Sequence, residues 1–359
     1  MATGKAGSTS LADMTNSNPS DDDDLFLFTK PLPSFYTIDT ENWKEYKDII
    51  NISFDDPDSG GPAEEEKRKK IFNTNLAKIK ANNAKFENKQ YVNKFSHLTY
   101  DEKIKQTTGI LFDEGNMQRR QNSSLKTKRQ LQLALPEHFD WRAIAGAVRP
   151  VKDQGQCGSC WAFAATAAIE TRHFLNTGNS VDLSEQQLVD CTYAKPRSGC
   201  DGGWPNDAYK NNPKQATLAS YPYTAKGNEV CKTPPTIEYV SSISGYKGYV
   251  GDAVAMQEAL VSEGSLSVAF YVEDSFFKYD FNQVYQSTSC DQNVNHAVTI
   301  TGYGEDEDGT KFWIVKNSWG TNWGLGGYFR ILRGVNMCRI EDYAAYPETP
   351  NPTGKQIMQ

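Results

Sequence analysis

Four residues in this chain have types and spacings that could carry a nucleophilic displacement: Gln154, Cys160, His296 and Asn317. Cys160 closes the stretch Gln154-Gly155-Gln156-Cys157-Gly158-Ser159-Cys160, a Gly-rich turn that runs directly into Trp161-Ala162-Phe163-Ala164-Ala165-Thr166-Ala167-Ala168-Ile169-Glu170. That second run is rich in helix formers, so Cys160 is expected at a helix N-terminus. A thiol there faces unpaired N–H groups and the positive end of the helix dipole, which should favour the nucleophilic thiolate. The same stretch allows another chemistry, a redox pair formed by Cys157 and Cys160. Exchange chemistry would need both sulfurs free and a βαβ setting, which the surrounding sequence lacks.

A nucleophilic thiol needs a base. The four histidines are His97, His138, His173 and His296. His173 falls on the same expected helix as Cys160, more than three turns along, and is out of reach. His97 and His138 belong to the N-terminal third and its junction. His296 opens the apolar run Val294-Asn295-His296-Ala297-Val298. A lone strand histidine is ordinarily a structural, hydrogen-bonded residue, and a partner is what distinguishes this one. Lys316-Asn317-Ser318-Trp319-Gly320 ends a strand at 312–316, beside the His296 strand if the two pair as a hairpin over 302–309. Asn317 accepting from the ring would fix its tautomer, and Trp319 could shield that bond from water. The Gln154 amide could donate to a developing oxyanion alongside the Cys160 N–H.

These groups need a scaffold, and the chain is long enough for two or three structural units. Residues 1–34 are rich in Ser, Asn and Asp, with an acidic run at 21–24, and read as disordered. Residues 35–112 read as helical. Trp43, Tyr46 and Ile50 share one face, and a run over 63–86 carries Phe72, Leu76 and Ile79 as its apolar stripe. Residues 113–134 are polar, with basic pairs at Arg119-Arg120 and Lys128-Arg129, and form an exposed linker and cleavage region. From residue 135 to 359 the pattern is helical first and strand-like beyond about residue 241, with apolar runs at 266–271, 297–302 and 312–316. Ser184 followed by Gln187 has the form of a capping box. A two-lobed α+β unit with a cleft between the lobes is the expected architecture.

Composition excludes some functions. The chain carries 38 basic and 45 acidic residues, and its balance is uneven. Residues 1–130 hold 20 of each, while residues 131–359 hold 18 basic and 25 acidic. No basic stripe suits nucleic acid, and no apolar run approaches membrane-spanning length. No metal or cofactor is expected, because the cysteines and histidines lack paired ligand spacing. All seven cysteines, 157, 160, 191, 200, 231, 290 and 338, lie in the later part of the chain. An odd number there suggests three disulfides and one free thiol, formed in an oxidising compartment. The patch Leu25-Phe26-Leu27-Phe28 is too short for a secretory signal, so no visible targeting segment accompanies that compartment.

Taken together, these residues resemble the papain family of cysteine proteases, specifically the zymogens of its cathepsin L-like group. The signature around Cys160 fits C-G-[SA]-C-[WY], with His296 lying 136 residues and Asn317 157 residues downstream. Asn317-Ser318-Trp319-Gly320 and Gly199-Cys200-Asp201-Gly202-Gly203 match as blocks. Leu135-Pro136 with Asp140-Trp141-Arg142 resembles the start of a mature enzyme. Glu64, Arg68, Phe72, Asn75, Ile79 and Asn83 reproduce the family's prosegment pattern, whose spacing lets Glu64 and Arg68 pair. A second prosegment motif is half present: Tyr91 stands where the family has Gly and His97 where it has Asp, and a histidine there would titrate near neutrality.

The resemblance implies a helical left lobe, a β-barrel-like right lobe and an N-terminal helical inhibitory prodomain whose tail runs backwards through the cleft. It implies that Gln154, Cys160, His296 and Asn317 serve as oxyanion donor, nucleophile, base and orienting residue. The implied disulfides are Cys157–Cys200, Cys191–Cys231 and Cys290–Cys338. Substrate would meet Gly202, Gly203 and Trp319, with a pocket of Trp204, Pro205, Ala269, Val294 and Tyr343 for the apolar side chain preceding the scissile residue. Arg339 stands where the family usually has Gly. The implied partners are protein or peptide substrates, the chain's own prodomain and protein inhibitors of cysteine proteases, in a lysosomal or secreted setting. A non-catalytic binding protein of the same fold is the rival reading, and the complete set of four catalytic residue types counts against it.

Overall fold

Alternation along a single antiparallel sheet decides how the elements pack. The computed structural model describes residues 38, 40–56, 59–85, 90–110, 135–192, 199–227, 230–232, 235–279 and 281–350. The acidic start, the linker with its two basic pairs and the last nine residues lie outside them.

Among the described residues, three helices precede the linker: α1 (Trp43–Ile50), α2 (Gly61–Lys85) and α3 (Tyr100–Thr107). The expected stripe holds, since Phe72 and Ile79 are buried on α2 against Trp43 and Tyr46 of α1. The Tyr46 and Phe72 rings lie 4.5 Å apart. Glu64 and Arg68 pair at 2.6 Å one turn apart, and Arg68 reaches on to Glu102 of α3 at 2.8 Å. Asn75 Nδ2 donates to the carbonyls of Ser96 and Leu98, which ties the following loop to α2. Helix α3 was not legible from periodicity. Its signal is a reciprocal capping box, in which Thr99 caps the Glu102 N–H and the Glu102 carboxylate takes the Thr99 N–H.

Beyond residue 135 the helices are α4 (Cys160–Thr177), α5 (Glu185–Cys191), α6 (Pro205–Asn211) and α7 (Ala253–Glu263). Short β1 (Phe139–Asp140) comes first among the strands, and β2 (Lys214–Ala216) pairs with β3 (Tyr239–Ser242). The main sheet runs β4 (Gly245–Tyr249), β9 (Ala344–Glu348), β5 (Leu266–Phe270), β6 (His296–Glu305), β7 (Lys311–Lys316) and β8 (Tyr328–Leu332), with β1 also on β6. Among the described residues this path does not close into a ring. The hairpin expected between the His296 strand and the 312–316 strand is present as β6–β7.

The capping box expected at Ser184 is only half formed. Ser184 Oγ accepts from the Gln187 N–H at 3.0 Å, but the Gln187 side chain turns to the Lys214 carbonyl and the Ala216 N–H. Gln187 ties α5 to β2 instead of closing the cap, because a buried amide gains more from two backbone partners.

The two faces of the sheet differ chemically. Leu266, Val268, Phe270, Val298 and Ile300 point into an aromatic-rich core. The alternate residues Ala269, Ala297 and Ala345 point into a second cluster with α4. Helix α4 offers Ala162, Ala164, Ala165 and Ala168 to that cluster, so both surfaces are small and the helix sits close to the strands. Thr299 Oγ1 reaches the Ala164 carbonyl at 3.4 Å. Helix α4 ends at Gly178, whose φ of 71° suits the left-handed C-cap.

Ala164→Leu should therefore overpack this seam and lower stability by about 1–3 kcal/mol in chemical denaturation. An unchanged midpoint and slope would show that the seam has room to spare.

Candidate active site

Packing α4 against β6 brings the helix start to the strand start, and with it Cys160 to His296. The Cys160 sulfur accepts from the Ala297 N–H at 3.4 Å. His296 Nε2 lies 2.9 Å from Asn317 Oδ1, the first residue past β7. Oδ1 also accepts from the Ser318 N–H at 2.8 Å, so it is the acceptor and Nε2 carries the proton. His296 Nδ1 is left as the lone-pair nitrogen, buried and without a hydrogen-bond partner among the described residues. Trp319 stacks on the imidazole with centroids 4.8 Å apart, and Phe270 packs at 5.8 Å.

Gln154 is fully buried. Its Oε1 accepts from Ser318 Oγ at 2.6 Å and its Nε2 donates to the Cys157 carbonyl at 2.8 Å. An amide nitrogen has two hydrogens, so Nε2 has a second N–H beyond the one given to Cys157. The disulfides are Cys157–Cys200, Cys191–Cys231 and Cys290–Cys338, and Cys160 is the free, buried thiol. With Cys157 bonded to Cys200, a Cys157–Cys160 redox pair has no second thiol. His138 accepts from the Glu305 N–H, and His173 lies along α4; neither belongs to the site.

A buried charge network supports the site from below. Lys152 Nζ meets Glu170 at 2.9 Å and Glu185 at 2.6 Å. Burial alone would lower its pKa, but the two carboxylates outweigh it and hold the ammonium charged. Lys316, next to Asn317, shares a small cavity of about 20 Å³ with these groups, and burial pulls it down to about 8.

The chain itself covers the cleft. The Thr107 carbonyl takes the Trp319 indole N–H at 3.1 Å, and the Gly109 and Ile110 N–H groups both donate to the Asn295 carbonyl. The Gly109 carbonyl accepts from the Gly203 N–H at 2.8 Å, and Ile110 pairs with Gly203 in parallel sense. Gly109 is required here, because a Cβ would lie 2.0 Å from the Gly158 oxygen. Its N–H donates to Asn295 and its carbonyl accepts from Gly203, so both backbone groups of Gly109 are taken up across the cleft. Further along the cover, Lys94 Nζ binds Asp153 at 2.9 Å and the Trp319 carbonyl at 2.6 Å, and Phe95 packs edge-on to Trp319. Lys103 is buried against Asp274.

This cover reverses the expected thiolate. Burial pushes the Cys160 thiol up to about 12, although the N–H groups of Ala297, Trp161, Gly109 and Cys160 itself pull the other way. Burial also pulls His296 down to about 4, with the Asn317 hydrogen bond opposing it. Both shifts favour a neutral thiol beside a neutral imidazole. The helix N-terminus is where the sequence placed it, but desolvation exceeds its pull.

Of the predicted pocket residues, Trp204, Pro205, Ala269 and Tyr343 line one cavity of about 30 Å³, joined by Tyr246 and Asp342. Trp204 and Tyr343 meet edge to face at 5.4 Å. Val294 does not line that cavity but shares an apolar cluster with Trp204, Ala269 and the cover residue Ile110. Gly203 anchors the cover through its N–H, and Gly202 before it has a φ of 112°, in the region that favours glycine. The contact that sequence reading missed is Gly109 with Ile110; the only signal was a glycine between two Thr residues and an apolar side chain.

A two-lobed α+β fold, with a Cys–His–Asn constellation in the cleft and an N-terminal helical segment lying over it, defines a latent thiol hydrolase. Residues 135–348 match the papain family cysteine protease, and residues 43–102 match the cathepsin propeptide inhibitor domain (I29). The chain belongs to the papain family and is the zymogen of a cysteine endopeptidase, inhibited by its own propeptide. It is 41% identical to cysteine proteinase 3 of Solanum lycopersicum over 79% of this chain and 78% of that protein. It is 36% identical to a cathepsin L-like peptidase of Aedes aegypti over 88% of this chain and 94% of that protein. Among solved structures, digestive procathepsin L2 from the Tenebrio molitor larval midgut is similar with a TM-score of 0.74 at 33% identity, covering 85% of this chain and 98% of that one. No described helix is long and apolar enough to cross a membrane.

The structure also corrects the reading of His97. Its Nδ1 lies 2.8 Å from the Tyr46 hydroxyl, and burial pulls it down to about 4 rather than leaving it near neutrality. Arg68 and Lys103 add to that shift, and Glu102 opposes it. A histidine held neutral when folded and free to protonate when unfolded makes the unfolded state bind more protons between about pH 6.5 and 4. Stability is thus fully present above that window and is lost as pH falls through it. His97→Asn should flatten the slope of zymogen stability against pH in this window, measured by denaturation at stepped pH. An unaltered slope would assign the acid sensitivity to the other histidines that burial shifts down, His296 and His173, instead.

Proposed function

We propose that Cys160 is the nucleophile of this endopeptidase, His296 its acid–base partner, Asn317 the residue that orients the imidazole, and Gln154 an oxyanion donor. The observation that carries this reading is the His296–Asn317 bond, which leaves Nδ1 unpartnered next to the strand residue whose N–H holds the Cys160 sulfur. Once the cover is cut away, water re-enters the cleft and both burial shifts relax. The thiol proton passes to His296 Nδ1, and the sulfur attacks the peptide carbonyl. The C–N bond breaks as His296 returns that proton to the leaving amine, giving a thioester. His296 then takes a proton from water, the hydroxide adds to the acyl carbon, and the acid leaves as the thiol re-forms. Gln154 Nε2 and the Cys160 N–H stabilise the negative oxygen at each addition.

The domain division follows the same reading. Residues 1–34 precede an inhibitory unit at 35–112, residues 113–134 are cut on activation, and residues 135–359 form the peptidase. Ile110 supports an apolar preference for the substrate residue preceding the scissile one, since it lies in the cluster of Trp204, Ala269, Val294 and Tyr343. Substrates are proteins or peptides, and protein inhibitors of cysteine proteases are further partners. Three disulfides support a lysosomal or secreted setting.

An epoxysuccinyl thiol reagent should modify Cys160 alone in the activated protein and abolish turnover; activity with Cys160 unmodified would contradict the assignment. His296→Ala should lower kcat/KM by about 10²–10⁴-fold. Tyr343→Ala should open the pocket to bulkier side chains, and an unchanged peptide-library profile would remove Tyr343 from specificity.

A further inference from the structure

The pocket beside Trp204 carries one ion pair at its edge that the catalytic reading does not use. Asp342 is the carboxylate among the described residues lining that cavity. Its Oδ2 lies 2.7 Å from Arg339 Nε, and its Oδ1 accepts from Asn336 Nδ2 at 2.8 Å. The remaining guanidinium nitrogens run along the edge, one 3.4 Å from Asn293 Oδ1 and the other 3.5 Å from the Tyr343 hydroxyl. The guanidinium carbon stands 5.9 Å from the centre of the Tyr343 ring. Arg339 therefore touches the carboxylate and the aromatic wall of the same pocket.

The backbone holds it there in an uncommon conformation. Asn336, Cys338 and Arg339 have φ values of 54°, 51° and 67°, in the left-handed region that favours glycine. A long side chain persists in that region only where its surroundings fix it. Here the Cys290–Cys338 disulfide fixes one side and the Asp342, Asn293 and Tyr343 contacts fix the other.

We infer that Arg339 is a specificity-determining residue: it occupies the carboxylate of Asp342, so that the pocket admits apolar side chains and turns away charged ones of either sign. A Lys or Arg side chain entering the pocket would find the carboxylate already bonded to a guanidinium. An acidic side chain would find the guanidinium already compensated. Specificity of this kind comes from what the pocket denies as much as from what it contacts. The inference rests on reading this cleft as the peptidase site.

Two variants shift the balance in opposite directions. Arg339→Gly relieves the backbone and frees Asp342, so the activated enzyme should gain about tenfold in kcat/KM for Arg or Lys at this position relative to Leu. Asp342→Asn removes the guanidinium's ion-pair partner in the pocket and should raise Asp or Glu relative to Leu by a similar factor. Rates are normalised to Cys160 titrated with the epoxysuccinyl reagent, so loss of folded enzyme does not enter. Where Arg339→Gly does not fold, Asp342→Asn decides. Wild-type ratios in titratable variants would overturn the role of Arg339. A wild-type enzyme that neither hydrolyses peptides nor labels at Cys160 would instead contradict the catalytic assignment.

Discussion

Everything in this molecule depends on how closely α4 approaches the sheet. The helix contributes Ala162, Ala164, Ala165 and Ala168, and the strands contribute Ala269, Ala297 and Ala345. Interiors are packed densely enough that one extra methylene is felt, so this seam fixes its distance. Because Cys160 opens the helix and His296 opens β6, the distance between two elements becomes the distance between a thiol and an imidazole. The Lys152, Glu170 and Glu185 network beneath the seam joins the turn before Cys160 to α4 and α5. Gln154, bonded to Ser318 through both backbone and side chain, ties that turn to the residue after Asn317.

The same positions carry two electrostatic states. While the segment that carries Gly109 and Ile110 lies in the cleft, burial raises the pKa of the thiol and lowers that of the imidazole, and both shifts favour the neutral forms. The cover hydrogen-bonds across the cleft through Gly203 and Asn295 and fills the apolar cluster with Ile110. The pairing of Ile110 with Gly203 is parallel, and it holds the Gly109 carbonyl on the Gly203 N–H. Inhibition here is therefore both a matter of access and a matter of charge.

Much of this was legible in the sequence. The Cys160 turn, His296, Asn317 and the α2 stripe announce themselves through spacing and period, and the hairpin that joins His296 to Asn317 follows from two apolar runs. Three things were not legible, each for a physical reason. The state of Cys160 depends on a segment about fifty residues upstream whose placement no local pattern encodes. Helix α3 is too short for periodicity to reveal and depends on its Thr99–Glu102 cap. Gln187 looked like a cap partner but serves β2, a choice set by tertiary neighbours. Propensity and motif reach as far as the element; burial and partner choice belong to the assembled fold.

The central claim is that the prosegment, by dehydrating the cleft, holds Cys160 as a neutral thiol. The direct test is the ultraviolet thiolate absorbance of the intact zymogen and of the cleaved enzyme, each titrated with pH and corrected with the Cys160→Ala variant. The account predicts no Cys160 thiolate in the zymogen up to about pH 9, near the pKa of a free thiol. It predicts a thiolate already present below about pH 7 once residues up to the linker are removed. Thiolate appearing at the same pH in both forms would contradict it.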